Sequence, residues 1–167
     1  QANDHSQLRT HHDQYQALAD WYDIPFHYVA SDAKHLAEER IMALTEGTDM
    51  LIMARYMQIL SGEFLHQYKR PVVNIHHSFL PSFPGAKPYH QAYARGVKLI
   101  GATAHYATED LDEGPIIAQE VRSIDHEVTV SQMVHLGHDI EATALSHAVR
   151  LHCDERVHLN GQRTVIL

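Results

Sequence analysis

Segments with helical and strand-like patterning alternate along the first half of this chain. Apolar residues at helical spacing are each time followed by a short apolar run of the kind that forms a buried strand. The predicted order is a helix over Ser6 to Trp21, a strand over Phe26 to Val29, a helix over Lys34 to Leu44, a strand over Asp49 to Ala54, a helix from Ser61 and a strand over Val72 to Ile75. This order predicts an α/β fold with a Rossmann-like, mostly parallel sheet, helices on both faces and ligands beyond the carboxyl ends of the strands.

The second half begins with a proline-rich loop and ends in a predicted β-hairpin. Its predicted elements are a loop over His76 to Pro88, a helix over Tyr89 to Arg95, a strand over Lys98 to Tyr106, a partner strand over Ile116 to Val121 and a helix over Thr129 to Leu151. The last helix has a broad apolar stripe, which we interpret as core packing rather than a cofactor groove. Asn160-Gly161 lies between two β-prone runs and predicts a C-terminal hairpin.

The composition fits one domain, residues 1–167, with a core of its own. The chain is 44% hydrophobic and has a net charge of -8. Its 13 Lys and Arg residues are scattered, which argues against nucleic acid as a partner because phosphate binding needs clustered cations. A single cysteine, Cys153, excludes an internal disulfide, and no apolar stretch approaches the length of a membrane span. We therefore expect no membrane partner and a cytoplasmic location.

The 16 histidines raise the question of a metal site. His11-His12, His76-His77 and the helical pair His135 and His138 could each present imidazoles together. However, no His-Glu-x-x-His and no Cys-x-x-Cys motif accompanies them. We therefore expect no metal and interpret most of these histidines as surface residues.

Three polar residues, Asn74, His76 and Asp112, lie at the ends of apolar runs. Asn74 and His76 are two residues apart on a predicted strand, so both side chains leave the same face and can donate to one oxygen. An amide and a protonated imidazole aimed at a carbonyl stabilise the oxyanion that forms when the carbonyl becomes tetrahedral. Asp112 could take a proton from water or an amine and keep His76 protonated. The chemistry indicated is acyl transfer or hydrolysis.

The same residues also have simpler explanations. Asn74 could bond only to loop backbone, His76 or His77 could be a half-buried imidazole with its hydrogen bonds satisfied, and Asp112 could be an ordinary turn residue. Ser78 is a weaker candidate for a nucleophile because no Gly-x-Ser-x-Gly elbow surrounds it.

Longer motifs around these residues are more specific. They read Val73-Asn-Ile-His-His-Ser-Phe-Leu-Pro81, Pro84-Gly-Ala-Lys-Pro-Tyr-His-Gln-Ala92, Gly101-Ala-Thr-Ala-His105 and Asp112-Glu-Gly-Pro115. Over essentially its whole length, the chain resembles the formyltransferase-fold family that uses 10-formyltetrahydrofolate, and within it the formyltetrahydrofolate deformylase branch. The transferases of this family usually have proline directly after the catalytic histidine, whereas His77 and the stretch from Gly85 to Ala92 are similar to the hydrolase branch.

The resemblance implies hydrolysis of 10-formyltetrahydrofolate to tetrahydrofolate and formate, in one-carbon metabolism and purine biosynthesis. It implies that Asn74 holds the formyl oxygen, that His76 stabilises the oxyanion as an imidazolium, and that Asp112 positions or deprotonates water. Folate is then the substrate, with no cofactor and no metal. The implied substrate-binding residues are Tyr56, Met57, Gln58, Leu60, His105, Ala107 and Leu111. Plain core packing stays open for these residues, and Lys87 and Tyr89 are expected to bear on substrate or water without an assigned mechanism.

Two alternative functions use the same residues. Formyl transfer to an amine acceptor, as in glycinamide ribonucleotide transformylases, needs the same trio, and a folate-binding module without activity is a third hypothesis. In this family a strand, a helix and a second strand normally precede the position of Gln1, and the deformylases have a regulatory domain before them. We therefore expect these 167 residues to be a fragment whose sheet lacks two strands. The family also implies a homo-oligomer.

Overall fold

The computed structural model describes residues 14–56, 58–78 and 88–167. The chain divides into two compact units, Gln1–Glu46 and Gly47–Leu167. The first unit contains helical residues 14–21 (α1) and helix α2 (Lys34–Leu44). Residues 14–21 belong to the helix predicted over Ser6 to Trp21, and residues 6–13 of that prediction lie outside the described part of the chain.

The strand predicted over Phe26 to Val29 is wrong. Residues 24–31 form neither helix nor strand. A β-strand depends on a ladder of hydrogen bonds to a neighbouring strand, and neither sheet of the described residues includes residues 24–31. A β-prone sequence is therefore not sufficient to form a strand, because a neighbouring strand in a sheet is also required.

Every helix and strand predicted for the second unit is present. In chain order these elements are β1 (Leu51–Met53), α3 (Gly62–Tyr68), β2 (Val72–His76), α4 (Pro88–Arg95), β3 (Leu99–Tyr106), β4 (Ile116–Ser123), α5 (Val130–Cys153), β5 (Val157–Asn160) and β6 (Arg163–Ile166). Two helices begin at hydroxyl caps: Ser61 accepts from the backbone of Phe64 at 3.0 Å, and Thr129 forms a capping box with Gln132. The α/β fold class is therefore confirmed.

The main sheet has four strands in the order β1-β2-β3-β4 and is mixed rather than mostly parallel. Strands β1 and β2 are parallel, whereas β2–β3 and β3–β4 are antiparallel. Only residues 107–115 separate β3 from β4, and a parallel connection needs a crossover of about a dozen residues or more. The β3–β4 pair must therefore be antiparallel, which the prediction of a mostly parallel sheet did not take into account.

The core lies where α5 packs against β2, β3 and β4. The buried residues of α5 recur at helical spacing and form one stripe: Met133, Gly137, Ile140, Ala144, Ala148 and Leu151. On the sheet side, Val73, Ala102 and Ala104 are completely buried. The small side chains of Ala102 and Ala104 let the long helix lie close to the sheet. The close packing of α5 against β2 and β3 holds the polar ends of these strands in place.

The C-terminal hairpin is confirmed, with β5 and β6 forming a separate two-stranded sheet. Asn160 pairs with Arg163, so the turn itself consists of Gly161 and Gln162 rather than Asn160 and Gly161. Gly161 has a φ of 62°. The first position of a two-residue hairpin turn needs a positive φ, which glycine adopts without strain. Within the ranges that the structure describes, no helix combines the length and apolar character needed to cross a bilayer.

Candidate active site

Two adjacent strands bring three polar side chains to one face of the sheet. Asn74 and His76 are on alternate positions of β2, and His105 of β3 lies directly opposite Asn74 in the antiparallel register. Residues opposite each other in a ladder have side chains on the same face. The register of β3 against β4 shifts between Ala104 and His105, a bulge of the kind that redirects side chains beside active sites.

His105 fixes the orientation of the Asn74 amide. Its Nδ1 is 2.9 Å from the Tyr106 carbonyl oxygen, which can only accept, so Nδ1 carries the hydrogen of this bond. In a neutral imidazole Nε2 is then an acceptor, and it lies 3.2 Å from Nδ2 of Asn74. The Asn74 amide therefore donates one N–H to His105. Its second N–H has no partner among the described residues and is available to an oxygen in the site.

Asp112 lies against both histidines of this face. Its Oδ2 is 3.1 Å from Nδ1 of His76, and its Oδ1 is 3.5 Å from Nε2 of His105. The carboxylate therefore accepts from Nδ1–H of His76. Nε2 of His76 is buried without a hydrogen-bond partner in the described ranges, and the His76 ring stacks on His77 with centroids 4.7 Å apart.

The surroundings of His76 favour its neutral form. Burial is the largest influence and lowers the pKa of His76, and His77 and His105 lower it further, while the Asp112 carboxylate acts in the opposite direction. The resulting pKa is below the ordinary value for histidine. Burial therefore opposes the role expected of Asp112, which was to keep His76 protonated.

The backbone around Asp112 is unusual and holds the carboxylate in place. Asp112 has a φ of 57°, in the left-handed region that few residues other than glycine adopt. Gly114 passes so close to β3 that an added Cβ would overlap the Tyr106 carbonyl. The N–H of Tyr106 donates to the Pro115 carbonyl at 2.9 Å. The Gly-Pro sequence after Asp112 is thus explained by a tight return of the loop to the sheet.

These groups open into a cavity of about 580 Å³, a volume typical of small-molecule sites. Its lining includes all three proposed catalytic residues and six of the proposed substrate-binding residues: Asn74, His76, Asp112, Tyr56, Gln58, Leu60, His105, Ala107 and Leu111. Met57 and Lys87 lie outside the described residues. The sequence prediction thus selected residues that share one cavity, although it chose them from separate segments.

The opposite wall of the cavity comes from α4 and α5. It contains Tyr89 and His90 of α4 together with Val134, His138 and Glu141 of α5. From the sequence, the apolar stripe of α5 is predicted to be core, and no site residue is predicted in this helix. Val134, His138 and Glu141 are themselves at helical spacing. This second stripe beside the core stripe was a signal in the sequence that could have identified the α5 residues of the site.

Tyr89 and Glu141 form the strongest polar contact of that wall. The Tyr89 hydroxyl donates to Oε1 of Glu141 at 2.7 Å. Burial raises the pKa of Tyr89, and the bond and the charge of Glu141 raise it further, so the hydroxyl stays protonated. No group of three or more potential metal ligands occurs in the described part of the chain.

Comparison with known proteins confirms the resemblance. Residues 7–149 match the formyl transferase family. The formyltetrahydrofolate deformylase of Corynebacterium sp. (strain P-1) is 49% identical over 164 residues, which are 96% of this chain and 57% of that protein. The crystal structure of a formyltetrahydrofolate deformylase from Pseudomonas syringae has a TM-score of 0.85 and 45% identity, covering 91% of this chain and 52% of that one.

Transferases of the same fold are less similar in sequence. The crystal structure of the phosphoribosylglycinamide formyltransferase from Anaplasma phagocytophilum has a TM-score of 0.82 and 30% identity, covering 90% of this chain and 74% of that one. The chain spans about half the length of the deformylases that it matches. The chain belongs to the formyl transferase family.

Proposed function

We propose that this chain carries the catalytic site of a 10-formyltetrahydrofolate hydrolase, which produces tetrahydrofolate and formate without a cofactor or metal. The observation that supports this most directly is the convergence of an amide donor, an imidazole and a carboxylate on one cavity. Hydrolysis of a formyl group needs a donor for the oxyanion and a base for water, and this set contains both.

Asn74 is the principal donor in the proposed reaction. One of its N–H groups is held by His105, so the second has a fixed direction before substrate binds. Preorganised donors stabilise an oxyanion without reorienting during the reaction, and one such donor contributes about 10²–10³ in rate. Asn74 therefore binds the formyl oxygen, and His105 is a positioning residue.

Asp112 is the base that accepts a proton from the attacking water. The water oxygen bonds to the formyl carbon while Asp112 takes one proton, and the carbonyl electrons move to the oxygen beside Asn74. Once Asp112 is protonated it is a poorer acceptor, so Nδ1–H of His76 is released to the oxyanion. The carbon–nitrogen bond to the folate then breaks, Asp112 returns its proton to that nitrogen, and formic acid leaves and loses its remaining proton to solvent as formate.

The pterin is proposed to bind between the segment after β1 and the loop before β4. Tyr56, Gln58 and Leu60 of the first segment and Ala107 and Leu111 of the second all line the cavity. Leu60 is buried, whereas Leu111 is 61% exposed, so a flat heterocycle would cover an apolar side chain that now contacts solvent. Covering one leucine completely stabilises a complex by about 1.5–3 kcal/mol.

Formyl transfer to an amine is the second candidate because an amine can replace water at the same carbon. The similarity to a transferase structure supports it, but the identity to that chain is 30% against 45% for the deformylase structure. We further propose a cytoplasmic homo-oligomer, which the family implies.

The test is formate release from 10-formyltetrahydrofolate with no acceptor added. Formate and tetrahydrofolate should appear in equal amounts, as measured by a coupled formate dehydrogenase assay and by absorbance of the folate. Formate that appears only when an amine is supplied, or no formate from the folded full-length protein, would contradict the hydrolase proposal.

A further inference from the structure

The wall formed by Tyr89, Gly137 and Glu141 has no part in the mechanism above. Tyr89 is buried and lies against α5, where Gly137 faces its ring. A Cβ at position 137 would overlap the ring and the hydroxyl of Tyr89, so only glycine leaves room for the phenol. The hydroxyl is thereby directed to Glu141.

Glu141 is the carboxylate that an amine entering this side of the cavity would meet. An amine acceptor needs partners for its N–H groups on the way to the formyl carbon, and a carboxylate is the strongest acceptor among side chains. In this chain that carboxylate already accepts from Tyr89 at 2.7 Å. An amine that bonds to the same oxygen, Oε1, would have to displace a buried hydroxyl, which would then lose its own partner, so only Oε2 is open to the amine.

We propose that Tyr89, held in place by Gly137 and bonded to Glu141, favours water over an amine acceptor by occupying Oε1, one of the two oxygens of the carboxylate that could anchor the amine. This inference rests on the proposed hydrolase function and extends it to the choice of nucleophile. Water needs no such anchor because it is small and is bound by Asp112. Tyr89 itself does not touch the reacting atoms and acts through Glu141.

The test measures how each variant divides the formyl group between water and a small primary amine, glycinamide. In the transfer reaction the amine nitrogen bonds to the formyl carbon, the bond from that carbon to the folate nitrogen breaks, and the proton lost by the amine passes to that nitrogen. N-formylglycinamide and formate are quantified in the same reaction by mass spectrometry. Their ratio does not depend on how much of the enzyme is active, so a purely structural defect leaves it unchanged.

Tyr89→Phe should raise the ratio of transfer to hydrolysis about tenfold, because losing one hydrogen bond frees the carboxylate while the ring remains. Gly137→Ala should raise it in the same direction by displacing the ring. Tyr89→Phe combined with Glu141→Gln should return the ratio toward the wild-type value, since the anchor is gone. Tyr93→Phe, on the exposed side of the same helix, is the control and should leave the ratio unchanged.

Continued formate release with an unchanged ratio in both Tyr89→Phe and Gly137→Ala would overturn the specificity role. A ratio that stays high in the double variant would overturn the assignment of Glu141 as the anchor. No formate release from the wild-type protein is a different result, because it contradicts the proposed hydrolase function itself.

Discussion

The two walls of the cavity are built on different principles. The sheet wall, formed by Asn74, His76, His105 and Asp112, is tied to backbone: a strand register, a carbonyl that fixes a histidine tautomer, and a loop held by a close glycine contact. The helix wall, formed by Tyr89 and α5, is joined by one hydrogen bond between side chains and by the contact of the Tyr89 ring with Gly137. Backbone-held groups have fixed directions, whereas a side-chain pair can be replaced without altering the fold.

This difference predicts two classes of mutational effect. Changes in the sheet wall should reduce the rate of the chemical step, because preorganised donors and bases act in the transition state. Changes in the helix wall should alter which nucleophile reacts. Three further experiments test the sheet wall, in order of decreasing expected effect.

Asp112→Asn should produce the largest loss of rate. Asparagine has nearly the same shape and tolerates the left-handed backbone at this position, so the loop should keep its conformation. Its amide cannot accept the water proton, and kcat should fall by about 10³–10⁴ while folate binding is retained. Stopped-flow turnover and equilibrium titration of folate measure the two quantities separately.

Asp139→Asn is the matched control, because Asp139 is exposed on α5 and does not line the cavity. Its turnover should equal that of the wild type. If Asp112→Asn kept its turnover as well, Asp112 could not be the base, and the sheet wall would lose its distinguishing role.

Substitutions that break the hydrogen bond between Asn74 and His105 should cause the next largest loss of kcat/KM. Asn74→Ala should lower kcat/KM by about 10²–10³ through loss of an oxyanion donor. His105→Asn retains an N–H near the Tyr106 carbonyl but lacks Nε2, so kcat/KM should fall about tenfold, the value of one hydrogen bond. His105→Gln can replace the Nε2 acceptor and should lose less.

A double-mutant cycle distinguishes positioning from an independent role. If His105 acts only by orienting Asn74, then His105→Asn should cost nothing further once Asn74 is alanine. An equal loss in both backgrounds would show that His105 acts independently, through Asp112 or through the site wall.

The sheet wall could be predicted from sequence because its determinants are local. Alternation in an apolar strand places Asn74 and His76 on one face, and Gly114 with Pro115 indicates a tight turn after Asp112. Tyr89 of the helix wall was expected to bear on substrate or water, but the α5 residues of that wall were missed because Val134, His138 and Glu141 lie beside a core stripe of the same period. The direction of β3 and the lack of a strand over residues 26–29 depend on positions distant in sequence, which periodicity does not record.

The smallest expected effect concerns pH and compares Tyr89 of the helix wall with His76 of the sheet wall. The Tyr89 hydroxyl keeps its proton near neutrality because burial and the Glu141 carboxylate raise its pKa. Burial lowers the pKa of His76 below its value of about 6.5 in an unfolded chain. As pH falls below about 6.5, the unfolded chain binds a proton that the folded His76 does not, and the free energy of unfolding decreases.

His76→Gln should therefore make stability less dependent on pH below about 6.5 and leave the dependence unchanged above it, where the histidine is neutral in both states. The measurement is the midpoint of urea unfolding at several pH values between about 5 and 8. His126→Gln is the control, because His126 is exposed and its loss should leave the slope of the wild type unaltered. A wild-type slope in the His76→Gln variant would mean that His76 takes up its proton as readily in the folded state as in the unfolded chain. That outcome would contradict the statement that burial favours the neutral imidazole used in the proposed mechanism.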